Sequence, residues 1–259
     1  LARLASAPGG LFANEGVENG ALKGIEHWFG KFREQMRPTH VIACLDGGNA
    51  RRKAIDPEYK LNRKTKEKPE DFLEQLRWMP GTLAKLGIMT MLQGGEEADD
   101  CLASVVTRHA GPECEVIVCS SDKDLSALVG DHCQLYDPKP NKDGECRYWD
   151  AAGVKERMGV PPWRVADLLA VMGDTSDGIK GIKGIGKDRA LCALRQTKSM
   201  AELFRKAEAG KLADLGAASQ KRIVEGRPEY EHALKLVQLR TDIPVLELNA
   251  FELRGARAA

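Results

Sequence analysis

Three short stretches of the chain are apolar at nearly every position: VIACL (41–45), IMTMLQ (88–93) and EVIVCS (115–120). A strand with one wet face alternates apolar and polar residues, whereas a strand covered on both faces does not. These runs therefore read as strands of a parallel sheet with helices on both sides. In ADDCLASVVTRH the apolar positions 98, 101, 102, 105 and 106 follow the i, i+3, i+4, i+7 spacing of a single buried helix face. Strand alternating with helix predicts right-handed crossovers and an open α/β sheet. From about residue 150 the pattern becomes helical segments separated by Gly and Pro: PPWRVADLLAVMG, KDRALCALRQ, MAELFRKAEAG and EYEHALKLVQLR. The expected organisation is an α/β core over residues 1–150 and a helical region over 151–259.

Composition narrows this picture only slightly. In a chain of 259 residues, 42% apolar content argues against disorder. Lys plus Arg at 39 against Asp plus Glu at 38 leaves a formal charge of +1, so any function resting on charge must come from its distribution. The seven cysteines are odd in number, lack a C-x-x-C pair and mostly sit in apolar runs as small core residues, so a reduced, cytoplasmic setting is expected. No apolar run approaches the roughly 20 residues of a membrane-spanning helix, and the start of the chain has no signal-peptide pattern.

Charge distribution is more informative, because each apolar run leads directly into acid. VIACL leads to Asp46, IMTMLQ to GGEEADD with Glu96, Glu97, Asp99 and Asp100, and VIVCSS to Asp122 and Asp124. In open parallel sheets the carboxyl ends of the strands share one edge, so these groups are expected to converge, with Asp174 and Asp177 of MGDTSDG joining from the helical region. Two unit charges about 4 Å apart repel by roughly 4 kcal/mol at an effective dielectric near 20, so the crowding calls for a cation. Ordinary helix capping accounts for an acid in a first turn, at about 0.3–1 kcal/mol, and SSDKDL alone reads as a cap. Capping does not call for four acids in EEADD or for acid after every strand. Hard oxygen donors, with the five histidines scattered (27, 40, 109, 132, 232), select Mg²⁺ or Mn²⁺ over zinc. The number of carboxylates allows two ions about 3.5–4 Å apart, the arrangement that activates water and stabilises a leaving oxygen in phosphodiester hydrolysis.

Residues 51–68, RRKAIDPEYKLNRKTKEK, carry eight basic residues against three acidic ones without an apolar period. They read as a basic, exposed loop or arch within 51–80. A basic run is often only a solvated face. Beside a metal crevice, Arg51, Arg52, Lys60, Arg63 and Lys64 become candidate phosphate partners, and Tyr59 a candidate platform for an unpaired base. GIKGIKGIGKDRA (178–190) contains G-x-x-x-x-G-K, but Asp188 replaces the Ser or Thr of a P-loop and no apolar strand precedes it. A helix-hairpin-helix turn fits better: Gly184 and Gly186 let backbone amides approach phosphate at a helix start, and Lys183 and Lys187 add charge. The plainer alternative is a glycine turn between two packed helices.

In order along about residues 41 to 245, LDGGN, DPEYKLNRK, GEEADD, SSDKDLSALV, MGDTSDGIKGIKGIGKDRA and LVQLRTDIPV resemble the 5′-nuclease family. That family comprises the 5′-exonuclease domain of bacterial DNA polymerase I, phage replication exonucleases and flap endonucleases. The resemblance implies a PIN-like, mostly parallel sheet flanked by helices, a helical arch and a helix-three-turn-helix motif that grips duplex DNA. It places Asp46, Glu97, Asp99 and Asp100 in a first metal region and Asp122, Asp124, Asp174 and Asp177 in a second. Lys60 and Arg63 would polarise the scissile phosphate, with Tyr59 stacking near the 5′ end. Glu96 stands where relatives often carry an apolar residue and is left out. The family's first strand ends in a metal-binding Asp within D-G-x-N, so such a strand is expected upstream of Leu1. The implied activity is Mg²⁺- or Mn²⁺-dependent hydrolysis of DNA at 5′ ends or flap junctions by a monomer. A K⁺ ion at the hairpin turn and a replication or repair polymerase as partner go with it. The competing readings are a structure-specific DNA-binding protein of weakened activity and a PIN-type ribonuclease, the latter disfavoured by the arch and hairpin.

Overall fold

The computed structural model describes residues 20–63, 70–139, 142 and 145–253, so Lys64 and the chain before residue 20 lie outside it. The chain forms two compact units: Leu1–Asp46, Thr65–Gln93 and Pro244–Ala259 make one, and Gly47–Lys64 and Gly94–Ile243 the other.

In the first unit, α1 (Gly20–Met36) carries Leu22, Ile25 and Phe29 at helical spacing, and these bury against Met79 and Leu83 of α3 (Glu70–Lys85). β1 (Ile42–Leu45) and β2 (Met89–Leu92) pair in parallel, from Ile42 opposite Met89 to Leu45 opposite Leu92. The late chain returns here, with the Val41 amide donating to the Phe251 carbonyl at 2.9 Å and that of Leu253 to Thr39 at 2.9 Å.

The second unit begins with α2 (Ala50–Ile55) and α4 (Ala98–His109), which falls where the apolar spacing places it. β3 (Val116–Cys119) pairs in parallel with β4 (Cys133–Asp137), and β4 pairs antiparallel with β5 (Arg147–Trp149). Six helices follow or frame the site: α5 (Ala151–Met158), α6 (Val165–Met172), α7 (Lys187–Arg195), α8 (Met200–Glu208), α9 (Ala217–Glu225) and α10 (Arg227–Val237). α6, apolar nearly all round, is buried and packs against α10. Together with Val118, Leu125 and Leu135 it forms a core continuous with the helical region.

The three apolar runs are all strands, but among the described residues they lie in two sheets rather than one. Their expected two-sided cover is partial, with Leu92 58% and Ile117 40% exposed. Among the described residues no helix is long and apolar enough to cross a membrane, and Cys101 and Cys133 are buried core residues.

Candidate active site

Within the second unit the chain brings together the acids of 96–100, 122–124 and 174–177 with the basic residues of 51–63. Gly95, at φ +81°, turns the chain into α4, and backbone bonds between Gly47 and Gly95 (2.8 Å) and between Gly47 and Glu96 (3.0 Å) pin that entry. Glu97 occupies the N-cap position of α4 without a side-chain cap bond. Its carboxylate instead accepts from the Tyr59 hydroxyl at 2.8 Å and from Lys60 Nζ, with Arg52 Nη1 at 3.0 Å.

One turn into α4, Asp100 is fully buried and filled from three sides. Arg52 donates through Nη1 and, at 2.9 Å, through Nη2; Arg51 Nη2 lies at 3.4 Å; the Arg240 amide donates at 2.8 Å. Burial pushes its carboxyl up, but the Arg52 and Arg240 hydrogen bonds and the two guanidinium charges hold it below the usual range. Arg52 also donates Nε to the Leu236 carbonyl at 2.8 Å. Glu96 is paired in the same way, with Arg51 Nε at 2.8 Å and Arg240 Nη1 at 2.7 Å.

These contacts bear on four expectations. Arg52 is 3% exposed with its donors turned to Asp100, Glu97 and Leu236, so it is not open to phosphate; Arg51 reaches Glu96 and Asp100 through Nε and Nη2, while its side chain is 29% exposed and its Nη1 contacts neither acid. Asp100 accepts on both oxygens from Arg52, and on Oδ1 also from the Arg240 amide, so in this structure its carboxylate is held as an ion pair. Tyr59 is 3% exposed and hydrogen-bonded to Glu97 and, at 3.3 Å, to Asp177, so its ring is not open to a base. The physical reason is that residues 56–63 fold down as a turn instead of standing free. The Lys60 amide donates to the Asp177 carbonyl at 2.8 Å, with Lys60 at φ +58°, and Asn62 reaches the Thr175 carbonyl. Lys60 and Arg63 thereby rest on carboxylates: Lys60 on Glu97 with Asp177 at 3.4 Å, Arg63 on Asp177. Lys64 lies outside the described residues.

The remaining acids have a different setting. Asp122, at the end of β3, accepts from the Asp124 amide at 3.1 Å, the ordinary cap that its sequence suggests. Asp174 is drawn in by the close passage of Gly173 and Gly181, where a Cβ on Gly173 would sit 2.6 Å from the Gly181 nitrogen. Burial pushes the Asp174 carboxyl up, but bonds from the Ser176 amide (2.8 Å) and hydroxyl (2.6 Å) hold it low. Asp124 has a buried Oδ1 with no hydrogen-bond partner, and burial, then repulsion from Asp122, Asp174 and Asp177, pushes its carboxyl up to about 7. Asp99 is pushed up to about 6 by burial and then by Asp122 and Glu97. Among the described residues no three His, Cys, Asp or Glu side chains converge closely enough to hold a metal ion. Glu97 and Asp177 are turned instead toward Lys60, Arg63, Arg52 and Tyr59. The bare oxygen of Asp124 beside mutually repelling neighbours is what a hard cation would fit. Asp46 closes β1 in the first unit and is exposed.

In the glycine hairpin, Ile182 and Ile185 are buried anchors, and Gly184 takes φ +76°, where a Cβ would meet Arg222 Nη1 at 2.9 Å. Gly186 opens α7 without a side-chain cap, and a Cβ there would meet nothing within 4 Å. Lys183 and Lys187 are exposed around this open helix start.

Residues 4–159 match the model of the 5′-3′ exonuclease N-terminal, resolvase-like domain, and residues 160–259 that of the 5′-3′ exonuclease C-terminal SAM fold. The chain belongs to the 5′-3′ exonuclease family. Among its relatives, flap endonuclease Xni of Shewanella baltica is 33% identical over 219 residues, covering 84% of this chain and 78% of that protein. Xni of Shewanella oneidensis is 34% identical over 218 residues with the same coverage. The structure of T5 5′-exonuclease with divalent metal ions (zinc) bound superposes with a TM-score of 0.70 at 22% identity, over 85% of this chain and 82% of that one. The catalytic core of Rad2 in complex with DNA substrate gives 0.55 at 13% identity, over 93% and 76%. The chain is thus a 5′ nuclease with the α/β-plus-helical fold of this family.

Sequence reasoning missed Arg240, which reaches Asp100 across 140 positions and Glu96 across 144. Its signal was a single cation closing the apolar helix in LVQLRTDIPV.

Proposed function

We propose that this 5′-3′ exonuclease family member hydrolyses DNA phosphodiesters at 5′ ends or flap junctions with divalent metal, Mg²⁺ or Mn²⁺, around which Asp99, Asp122, Asp124 and Asp174 would close. The observation that carries the reading is the bare, buried oxygen of Asp124 among mutually repelling carboxylates, with Asp99 likewise raised, in a site where Glu96, Glu97, Asp100 and Asp174 have cations or donors of the chain against them. Bound metal would supply an activated water and charge neutralisation at the leaving oxygen. Lys60 and Arg63 would present their charge to the scissile phosphate, for which Glu97 and Asp177 are the competing anions in the DNA-free protein. Glu97 and Asp177 would join the ligand set once those cations move to phosphate. The helical region would grip duplex DNA through the open start of α7 with Lys183 and Lys187.

A second reading, a structure-specific DNA-binding protein of weak activity, is favoured by the internal neutralisation of Glu97 and Asp177. Cleavage of a labelled 5′-flap duplex in Mg²⁺, with EDTA and RNA controls, decides. Metal-dependent cutting of DNA supports the first reading; tight binding without cutting supports the second, and preference for RNA overturns both.

A further inference from the structure

β3 and β4 run parallel with Cys119 opposite Tyr136, so both strands leave the sheet on one edge, and that edge carries an acid that the sequence pattern did not pick out. Asp137 is the last residue of β4 and half-buried. Its Oδ1 accepts from the Ser121 hydroxyl at 2.8 Å and from the Lys139 amide at 3.0 Å. Ser121 immediately precedes Asp122, so the segment Ser120–Asp124 has a side-chain tie to the neighbouring strand at the point where its acids begin. Beside that tie stand backbone and local bonds. The Ser120 amide donates to the Tyr136 carbonyl at 2.9 Å, the Asp122 amide to the Ser120 hydroxyl at 3.1 Å, and the Asp124 amide to Asp122 Oδ1 at 3.1 Å. Lys123 adds a loose pair, 3.9 Å from Asp174. These bonds hold against a repulsion: Asp124, with its bare Oδ1, is repelled by Asp122, so a segment without an outside anchor would let the two acids swing apart.

Resting on the nuclease reading above, we propose that Asp137 and Ser121 form a positioning pair for the metal site: Asp137, through the Ser121 hydroxyl, fixes the turn from β3 into Asp122 and Asp124 so that both carboxylates face one ion, without touching that ion itself. What Asp137 contributes is an acceptor oxygen at a fixed place and not a charge, since the two groups bonded to its Oδ1 are neutral donors. Groups that orient metal ligands from behind typically set metal affinity by about ten- to a hundredfold.

The test measures Mn²⁺ binding to the whole chain by calorimetry, without DNA. Ser121→Ala and Asp137→Ala should each weaken Mn²⁺ binding by about ten- to a hundredfold, and the double variant should be no weaker than either, because all three remove one bond. Asp137→Asn should bind as wild type does, its amide oxygen still accepting from the Ser121 hydroxyl and the Lys139 amide. Amide exchange in metal-free protein gives a second readout. Ser121→Ala should speed exchange at the Asp124 amide by about two- to tenfold, the worth of one ordinary hydrogen bond. The Val116 amide, bonded to the His132 carbonyl at 2.9 Å, should stay as protected as in wild type and so report an intact sheet. In flap cleavage the Mg²⁺ concentration giving half-maximal rate should rise in Ser121→Ala, with the rate at saturating Mg²⁺ returning to that of wild type. Asp137→Asn as weak as Asp137→Ala would make Asp137 a ligand or a charge that the ion needs, and overturn the positioning role. Additive losses in the double variant, unchanged Mn²⁺ affinity in Ser121→Ala, or lost protection at Val116 in either alanine variant would overturn it too. Each of these leaves the nuclease reading standing when wild type binds Mn²⁺ and cuts the flap. Wild type that does neither overturns both.

Discussion

Two groups of carboxylates within one unit have opposite electrostatics. Glu96, Glu97, Asp100 and Asp177 each have an arginine or lysine of the chain against them, and Asp100 is held below its ordinary pKa in full burial. Asp99 and Asp124, in the same unit, are pushed up to about 6 and about 7 by burial and by neighbouring carboxylates. Acidic density in a sequence therefore does not separate an ion-pair residue from a metal ligand. What separates them is whether an internal cation reaches the group.

The largest effect expected from this contrast is on stability. Arg52→Ala leaves Asp100 buried and uncompensated and should destabilise the fold by about 3–5 kcal/mol, with Asp100→Asn losing a comparable amount. Urea denaturation checks this; a loss under about 1 kcal/mol, the range of exposed pairs, would break the first half of the comparison. On the other side, Asp124→Asn removes a repelling charge and should leave the metal-free protein at least as stable as wild type. It should nevertheless slow single-turnover cleavage by about 10²- to 10³-fold, the range seen when a charge-stabilising group is removed from a reaction centre. Unchanged turnover at saturating Mg²⁺ would take Asp124 out of the active site.

The next effect is pH-linked and sharpens the same contrast. Between the ordinary carboxyl value near 3.9 and the folded values of about 6 and 7, the folded protein binds more protons at Asp99 and Asp124 than the unfolded chain does. Their contribution to stability therefore falls as pH rises from about 4 to 7 in metal-free protein. Asp100 and Asp174, depressed instead, contribute stability that is present above about pH 4 and lost below it. Mg²⁺ should accordingly raise Tm strongly at pH 8, by the equivalent of about 2.7 kcal/mol at a hundred times Kd. At pH 5.5 the rise should shrink, because the ligands must first shed protons. A Mg²⁺-induced shift equal at both pH values would show that neither group meets the ion.

The sequence was legible where a period or a motif is local. The helix face of α4, the apolar α6 and the glycine turn at Gly184 were all visible because each rests on residues within a few positions of one another. Two strands were missed for a related reason. β4 has Leu135 and Tyr136 buried side by side, which breaks its alternation, and β5 is only three residues long. At the site, the acids were visible but their partners were not. Arg52 looks like any basic surface residue until Leu236, Glu97 and Asp100 close around it, and Tyr59 looks like a stacking aromatic until Lys60 bonds Asp177 and draws the turn down. Long-range pairing of charges carries no period, so the roles of a basic run cannot be divided from its composition.

The smallest effect concerns the cations, where the same division should appear between Lys60 and Lys187. Lys60 is largely buried against Glu97 and Asp177, whereas Lys187 is exposed at the uncapped start of α7. Lys187→Ala removes one phosphate contact remote from the acids, so it should weaken binding to all duplex sequences alike and make log K against log salt shallower by about one unit. Its single-turnover rate at saturating DNA should be unchanged. Lys60→Ala should do the reverse, lowering the rate at saturating DNA with little change in salt slope, because its charge is held inside the site instead of being spent on the duplex. Salt titrations and single-turnover rates measured on both variants separate the two roles. Equal loss of rate in the two would mean that α7 feeds the reaction centre directly and that the boundary between gripping and cutting is misplaced.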